Sequence, residues 1–228
     1  MARAYPVERE LESPPASATP EVFVVDDDLS VRKSLDAMIR CAGYKPKTFA
    51  CAYDFLGHPP TRGPNCLVLE VCLPDLSGLE LQNLIASERT GMPIIFITGN
   101  GDVPTTVRAM KAGAIEFLTK PFDDQVMLDA ILYAIERSRA ALSEEAEMKA
   151  IHERYAALSQ REREVMALVV TGLMNKQVGG ELGICEITVK VHRRHVMRKM
   201  NAGSLAELIS MAARLHPCRV RAAGATSR

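Results

Sequence analysis

Three consecutive carboxylates, Asp26-Asp27-Asp28, follow the apolar run Val22-Phe23-Val24-Val25. A fourth carboxylate, Glu70, follows Cys66-Leu67-Val68-Leu69. A hydroxyl, Thr98, follows Ile94-Ile95-Phe96-Ile97, and Lys120-Pro121 comes just after Ile115-Glu116-Phe117-Leu118. Carboxylates packed together repel one another and call for a cation. Hard oxygen donors with room for water suit Mg²⁺. A lysine and a hydroxyl suit a phosphoryl group, as charge partner and hydrogen-bond donor. An Asp triplet alone reads more simply as helix capping, which is the expectation for Asp28 ahead of Leu29. Asp-Asp, Glu, Thr and Lys-Pro behind four apolar runs form a stronger pattern, and it predicts phosphate chemistry.

The runs that carry these residues are short, β-branched and flanked by turn formers, so they read as buried strands. A further strand is expected over residues 45–49. Helix-period segments lie between them. One covers residues 29–41 with Val31, Leu35, Met38 and Ile39 on its apolar side, another residues 79–86 with Leu81, Leu84 and Ile85, and two more span 103–112 and 124–135. Strands alternating with helices imply a parallel sheet covered on both faces. Ligands of such sheets sit beyond the C-terminal strand ends, where the carboxylates, Thr98 and Lys120 would meet.

The C-terminal part reads differently. Ser159 followed by Glu162 is a capping box ahead of a helix with Val165, Leu168 and Val169 inward and Gly172 past its end. A shorter helix is expected from Asn175 to Leu182, stopped by Gly183. A third spans residues 186–200, with Ile187, Val191 and Met197 expected inward and Lys190, Arg193, Arg194, Arg198 and Lys199 outward. Ser204 leads a fourth, marked by Leu205, Leu208, Ile209 and Leu215. Short helices with cations concentrated on the third suit a helix-turn-helix whose recognition helix enters the major groove of double-stranded DNA.

Charge separates the two parts. Residues 21–137 hold 16 acidic and 11 basic side chains, whereas residues 156–216 hold 5 acidic and 9 basic, although the 228-residue chain is formally neutral. Only the second part suits a polyanion. Expected boundaries are a disordered leader at 1–20, an α/β domain at 21–138, a helical linker at 139–155, a DNA-binding domain at 156–216 and a flexible tail at 217–228. The linker carries a partial stripe of Leu142, Met148, Ile151 and Tyr155 and is expected to be solvated. No stretch has the roughly 18 apolar residues of a membrane helix, and the first 20 residues lack a signal-peptide core, so a cytoplasmic location away from membranes is expected. The six cysteines form no Cys-x-x-Cys pair and are expected to be reduced, small core residues.

Val24-Val25-Asp26-Asp27-Asp28, Leu73-Pro74-Asp75-Leu76-Ser77-Gly78, Thr98-Gly99-Asn100-Gly101-Asp102-Val103-Pro104, Ala109-Met110-Lys111-Ala112-Gly113-Ala114 and Lys120-Pro121-Phe122 closely resemble a response-regulator receiver of the FixJ type. The resemblance implies a flavodoxin-like, doubly wound sheet of five parallel strands with five helices. It implies Mg²⁺ held by Asp27, by Asp26 through water, by the acceptor carboxylate at position 70 and by the Cys72 carbonyl. It also implies Lys120 as partner of the phosphoryl group, a cis Lys120–Pro121 bond, and Thr98 with Phe117 as the switch pair. One departure matters. The phosphoacceptor position, an Asp in the family, is Glu70 here. Glu adds a methylene, moving the carboxylate outward by roughly 1.5 Å, and displacements near 1 Å in such sites cost on the order of 10²-fold in rate. Three readings stay open: a partial phospho-mimic, a disabled switch, or a slow acceptor.

Leu158-Ser159-Gln160-Arg161-Glu162-Arg163-Glu164-Val165, Gly172-Leu173-Met174-Asn175-Lys176-Gln177-Val178 and Thr188-Val189-Lys190-Val191-His192-Arg193 closely resemble the LuxR-type helix-turn-helix of the NarL/FixJ regulators. This implies a small all-α domain in which Lys190, Val191 and Arg194 face bases and Lys176, Thr188 and His192 touch phosphates. Partners implied are double-stranded DNA bound as a homodimer, a sensor histidine kinase upstream in a phosphorelay, and RNA polymerase. Gly179-Gly180 are expected to soften the second helix, and Cys185 to weaken the cap of the third. An aspartyl-phosphate phosphatase is one rival, but it leaves the basic helices unexplained, and a receiver interaction module that does not bind DNA is a second; a non-enzymatic DNA-binding regulator is expected ahead of both.

Overall fold

The computed structural model describes residues 19–89, 91–99 and 101–215. The expected tail, Cys218, Asn100 and all but the last two residues of the expected leader lie outside them.

In order, the first elements are β1 (Glu21–Val25), α1 (Leu29–Cys41), β2 (Lys45–Phe49), α2 (Ala52–Gly57), β3 (Asn65–Glu70), α3 (Gly78–Glu88), β4 (Ile94–Thr98), α4 (Val103–Lys111) and β5 (Glu116–Thr119). Then come α5 (Asp124–Ala156), α6 (Gln160–Val169), α7 (Asn175–Leu182), α8 (Glu186–Met200) and α9 (Leu205–Leu215). The chain divides into two compact units, the first ending at Ser143 and the second beginning at Glu144.

In the first unit five parallel strands pair in the order β2-β1-β3-β4-β5. Strands buried on both faces need apolar side chains at every position, which is why β1, β3 and β4 read as unbroken runs. Alternation then sorts them. Phe23, Val25, Leu67, Leu69 and Phe96 face one core with Phe55, Leu81, Ile85 and Ala109 from α2, α3 and α4. Val22, Val24, Cys66, Val68, Ile95 and Ile97 face the other with Leu35, Ile39, Met127, Ile131 and Ile135 from α1 and α5.

The second unit packs α6–α9 about Val165, Met166, Val169, Val178, Val189, Val196, Met200 and Leu208. Here the helical linker is found, but the expectation that it is solvated is corrected. Residues 139–155 belong to α5 itself, and Ile151 is buried in this core with Met148 and Tyr155 against it. The stripe is a packing face rather than a solvated one, because the short helices cannot enclose their core without it. The cysteine expectation also narrows. Among the described residues only Cys66 is a buried cysteine, and burial pushes its thiol pKa upward, whereas Cys41, Cys72 and Cys185 are exposed. Among the described residues no helix is long and apolar enough to cross a membrane.

Candidate functional site

Strand order reverses between β1 and β3, and this switch point opens a crevice beyond their C-terminal ends. Asp26 and Glu70 stand there, both buried. Asp26 is fixed from three sides. Its N–H donates to the Phe49 carbonyl at 3.2 Å, its carbonyl accepts from Arg32 Nη1 at 2.7 Å, and its Oδ1 accepts from the Asp28 N–H at 2.8 Å. Asp28 is the N-cap of α1, its side chain accepting from the Ser30 N–H at 2.7 Å. Asp27 is exposed.

Lys120 joins the two carboxylates. Its Nζ lies 2.6 Å from Asp26 Oδ2 and 2.6 Å from Glu70 Oε2. The other Glu70 oxygen, Oε1, accepts from the Cys72 N–H at 3.1 Å. Lys120 is placed by its own N–H, which donates to the Thr98 carbonyl at 2.7 Å, and it precedes a cis bond to Pro121. Burial disfavours charge on Lys120, but hydrogen bonds to Asp26 and Glu70 outweigh it and hold the ammonium above its ordinary pKa. Burial pushes the Asp26 carboxyl upward against the pull of Lys120.

So arranged, Asp26 and Glu70 already share a cation, Lys120. Among the described residues no three His, Cys, Asp or Glu side chains group to hold a metal ion.

Thr98 is buried at the end of β4, and Phe117 is half-buried on β5 with its ring tilted against Phe96 at 6.1 Å. The two converge at Gly101. A β-carbon there would sit 3.3 Å from Thr98 Cγ2 and 3.2 Å from the Phe117 ring, so any larger residue would have to push these side chains aside.

In the second unit Gly183 takes a left-handed conformation (φ 64°) after α7, giving the tight turn into α8. The inward face of α8 is Val189, Val196 and Met200; Ile187 and Val191, expected inward, are 74% and 48% exposed. Six apolar residues on one helix form two competing stripes, and the core takes the one with Val189, Val196 and Met200. Lys176, Lys190 and Arg194 are exposed, and Lys190 pairs with Glu186 at 2.9 Å. Thr188 is half-buried with Oγ1 3.0 Å from Cys185 Sγ, and Cys185 makes no side-chain cap. His192 is half-buried, and its Nδ1 has no partner among the described residues. Two of the expected outward cations turn inward to protein groups. Arg193 donates to Asn175 Oδ1 at 3.1 Å, and Lys199 meets the buried Glu162 at 2.7 Å.

Gly179 has a packing role beside its propensity cost. Its β-carbon would lie 2.7 Å from the Ile184 carbonyl oxygen, so glycine here lets α7 meet its own turn. Gly180 is exposed with open space around it and carries only the propensity cost.

Residues 22–132 match the family described as the response regulator receiver domain, and residues 156–212 match the luxR family of bacterial regulatory proteins. Nodulation protein W of Bradyrhizobium diazoefficiens is 50% identical over 196 residues, 86% of this chain and 86% of that protein. The chain belongs to the two-component response regulators with a LuxR-type DNA-binding domain. The transcriptional regulatory protein FixJ of Rhizobium meliloti is 44% identical over 191 residues, 84% of this chain and 94% of its own. The solved structure of the response regulator StyR is 47% identical, with a TM-score of 0.78 over 86% of this chain and 100% of that one. This response regulator is therefore a transcriptional regulator. The LuxR-type domain implies DNA as a partner, and the receiver implies a kinase and, in general, Mg²⁺ for phosphorylation. One structural role in this regulator escaped the sequence reading. Asp75 caps α2 from the β3–α3 loop, its Oδ1 and Oδ2 accepting from the N–H groups of Ala52 and Tyr53 at 3.2 and 3.0 Å.

Proposed function

We propose that this regulator binds double-stranded DNA with its receiver held on the active side by Glu70 rather than by phosphorylation. The ion pair between Glu70 and Lys120 carries this reading. In the family's pattern Lys120 would meet an incoming phosphoryl oxygen. Here a Glu70 oxygen already holds it, and the other oxygen already holds the Cys72 N–H. The carboxylate supplies one charge where an aspartyl phosphate supplies nearly two, so the mimicry is partial. Asp26 pairs with Lys120, and Asp27 and the Cys72 carbonyl are left without a metal-dependent role. Thr98 and Phe117 relay the state of the pocket to the outer face.

In the second unit α8 lies in the major groove. Lys190, Val191 and Arg194 meet base edges, and Lys176, Thr188 and His192 meet phosphates. The active form binds a two-fold-related site as a homodimer in the cytoplasm, acts there on RNA polymerase, and performs no catalysis of its own.

Mass measurement after incubation with a small phosphodonor and Mg²⁺ tests the first part. The native chain is expected to gain no phosphoryl group, and Glu70→Asp to gain one. Stoichiometric phosphorylation of the native chain at Glu70 would overturn the reading.

A further inference from the structure

Four exposed side chains of α8 share one helical face. Ile187, Lys190, Val191 and Arg194 follow one another at helical spacings of three, one and three residues. The opposite face, with Val189, Val196 and Met200, is spent on the core. The exposed face is thus mixed in a particular way. Two cations accompany two β-branched hydrophobes one turn apart, and Ile187 is the more exposed at 74%. Single exposed apolar residues are ordinary. An apolar pair in register on the solvent face of an otherwise basic helix is a ready contact surface.

The occupant of that face follows from its chemistry. Cations at 190 and 194 call for the polyanion that the LuxR-type domain binds. In the major groove the apolar group a side chain can meet is the 5-methyl of thymine. Ile187 lies in the first turn of α8, and the N-terminal residues of a recognition helix are those that reach base edges. We propose that Ile187 is a specificity-determining residue that reads a thymine methyl group, with Val191 extending the apolar strip toward Arg194. This rests on the major-groove reading of α8 given above. It adds a residue outside the set that the family resemblance implies for base contact.

The test uses the full chain and a random-sequence DNA duplex library. The duplexes retained by the native protein are sequenced, and the selection is repeated with Ile187→Ala and Ile187→Val. Ile187 is too exposed for these changes to alter the core, and thermal melting of the variants checks that. The native protein and Ile187→Val are expected to enrich thymine at one position of each half-site, and Ile187→Ala to lose that preference alone. Replacing that thymine by deoxyuridine removes one methyl. It should weaken native binding about fourfold, the burial of one carbon at about 0.8 kcal/mol, and leave Ile187→Ala unchanged. Unaltered preferences in Ile187→Ala, or equal weakening on every sequence, would overturn the assignment of Ile187 while leaving α8 as the reader. If neither protein enriches any sequence, the major-groove reading fails and this inference fails with it.

Discussion

Lys120 Nζ sits 2.6 Å from Glu70 Oε2, inside the crevice where this fold binds its ligands. The same ammonium is 2.6 Å from Asp26, so one cation bridges two buried carboxylates and compensates their charge in part. Removing one partner of a buried pair leaves uncompensated charge, at a cost of about 3 kcal/mol. Lys120→Met should lose about that much stability in urea unfolding at neutral pH, and Lys120→Met combined with Glu70→Gln should lose less. Loss of under about 0.5 kcal/mol would mean the pair is solvated and idle. The folded pKa of Lys120 is raised above the unfolded value, so its contribution is whole below that value and is lost as pH rises through the folded one.

Acid should weaken the second unit through Glu162. Glu162 closes the α6 capping box with Ser159 and meets Lys199 at 2.7 Å, with His195 Nδ1 at 3.7 Å. The hydrogen bond from Lys199 depresses its pKa to about 2. A depressed carboxyl gives stability that is present above the unfolded value, about 4.3, and is lost as pH falls toward the folded one. Thermal melting of the native chain should weaken between about pH 5 and pH 2. Glu162→Gln should be less stable at pH 7 by about 2 kcal/mol and lose less on acidification. Parallel curves would contradict the assignment.

Adjacent glycines should respond with opposite signs. Gly179→Ala drives a β-carbon against the Ile184 carbonyl and should cost about 1–3 kcal/mol. Gly180→Ala meets nothing and should gain about 0.5–1 kcal/mol. Urea midpoints measure both; a loss at Gly180 would contradict the open space around that residue.

Asp75→Ala should free the first turn of α2, at about 1 kcal/mol. Hydrogen exchange at Ala52 and Tyr53 reads it directly and should quicken in the variant. Unchanged exchange would show that α2 needs no cap from the β3–α3 loop.

The same cap explains what the sequence hid. The strands of the sheet are legible because burial on both faces demands unbroken apolar runs, and Ser159 with Glu162 announces α6 locally. Helix α2 has six residues, and its cap comes from Asp75, more than 20 positions away, so nothing local marks it. Pocket residues Asp26, Glu70, Thr98 and Lys120 follow from strand ends alone. That Lys120 would bridge both carboxylates does not, because a charge pattern cannot say which cation fills the crevice. Helix α8 offered Ile187 and Val191 or Val189 and Val196 as its inward pair, and only packing against α6 and α7 chooses.

The central claim is that Glu70 sets the DNA-binding state without phosphate. Affinity for a library-selected duplex, at one fixed salt concentration, compares the native chain with Glu70→Asp, each with and without phosphodonor. Coupling of this kind spans about 5–150-fold. The native chain should bind tightly in both conditions, and Glu70→Asp should bind weakly until phosphorylated. Native binding as weak as unphosphorylated Glu70→Asp would contradict the account and make Glu70 a disabled switch.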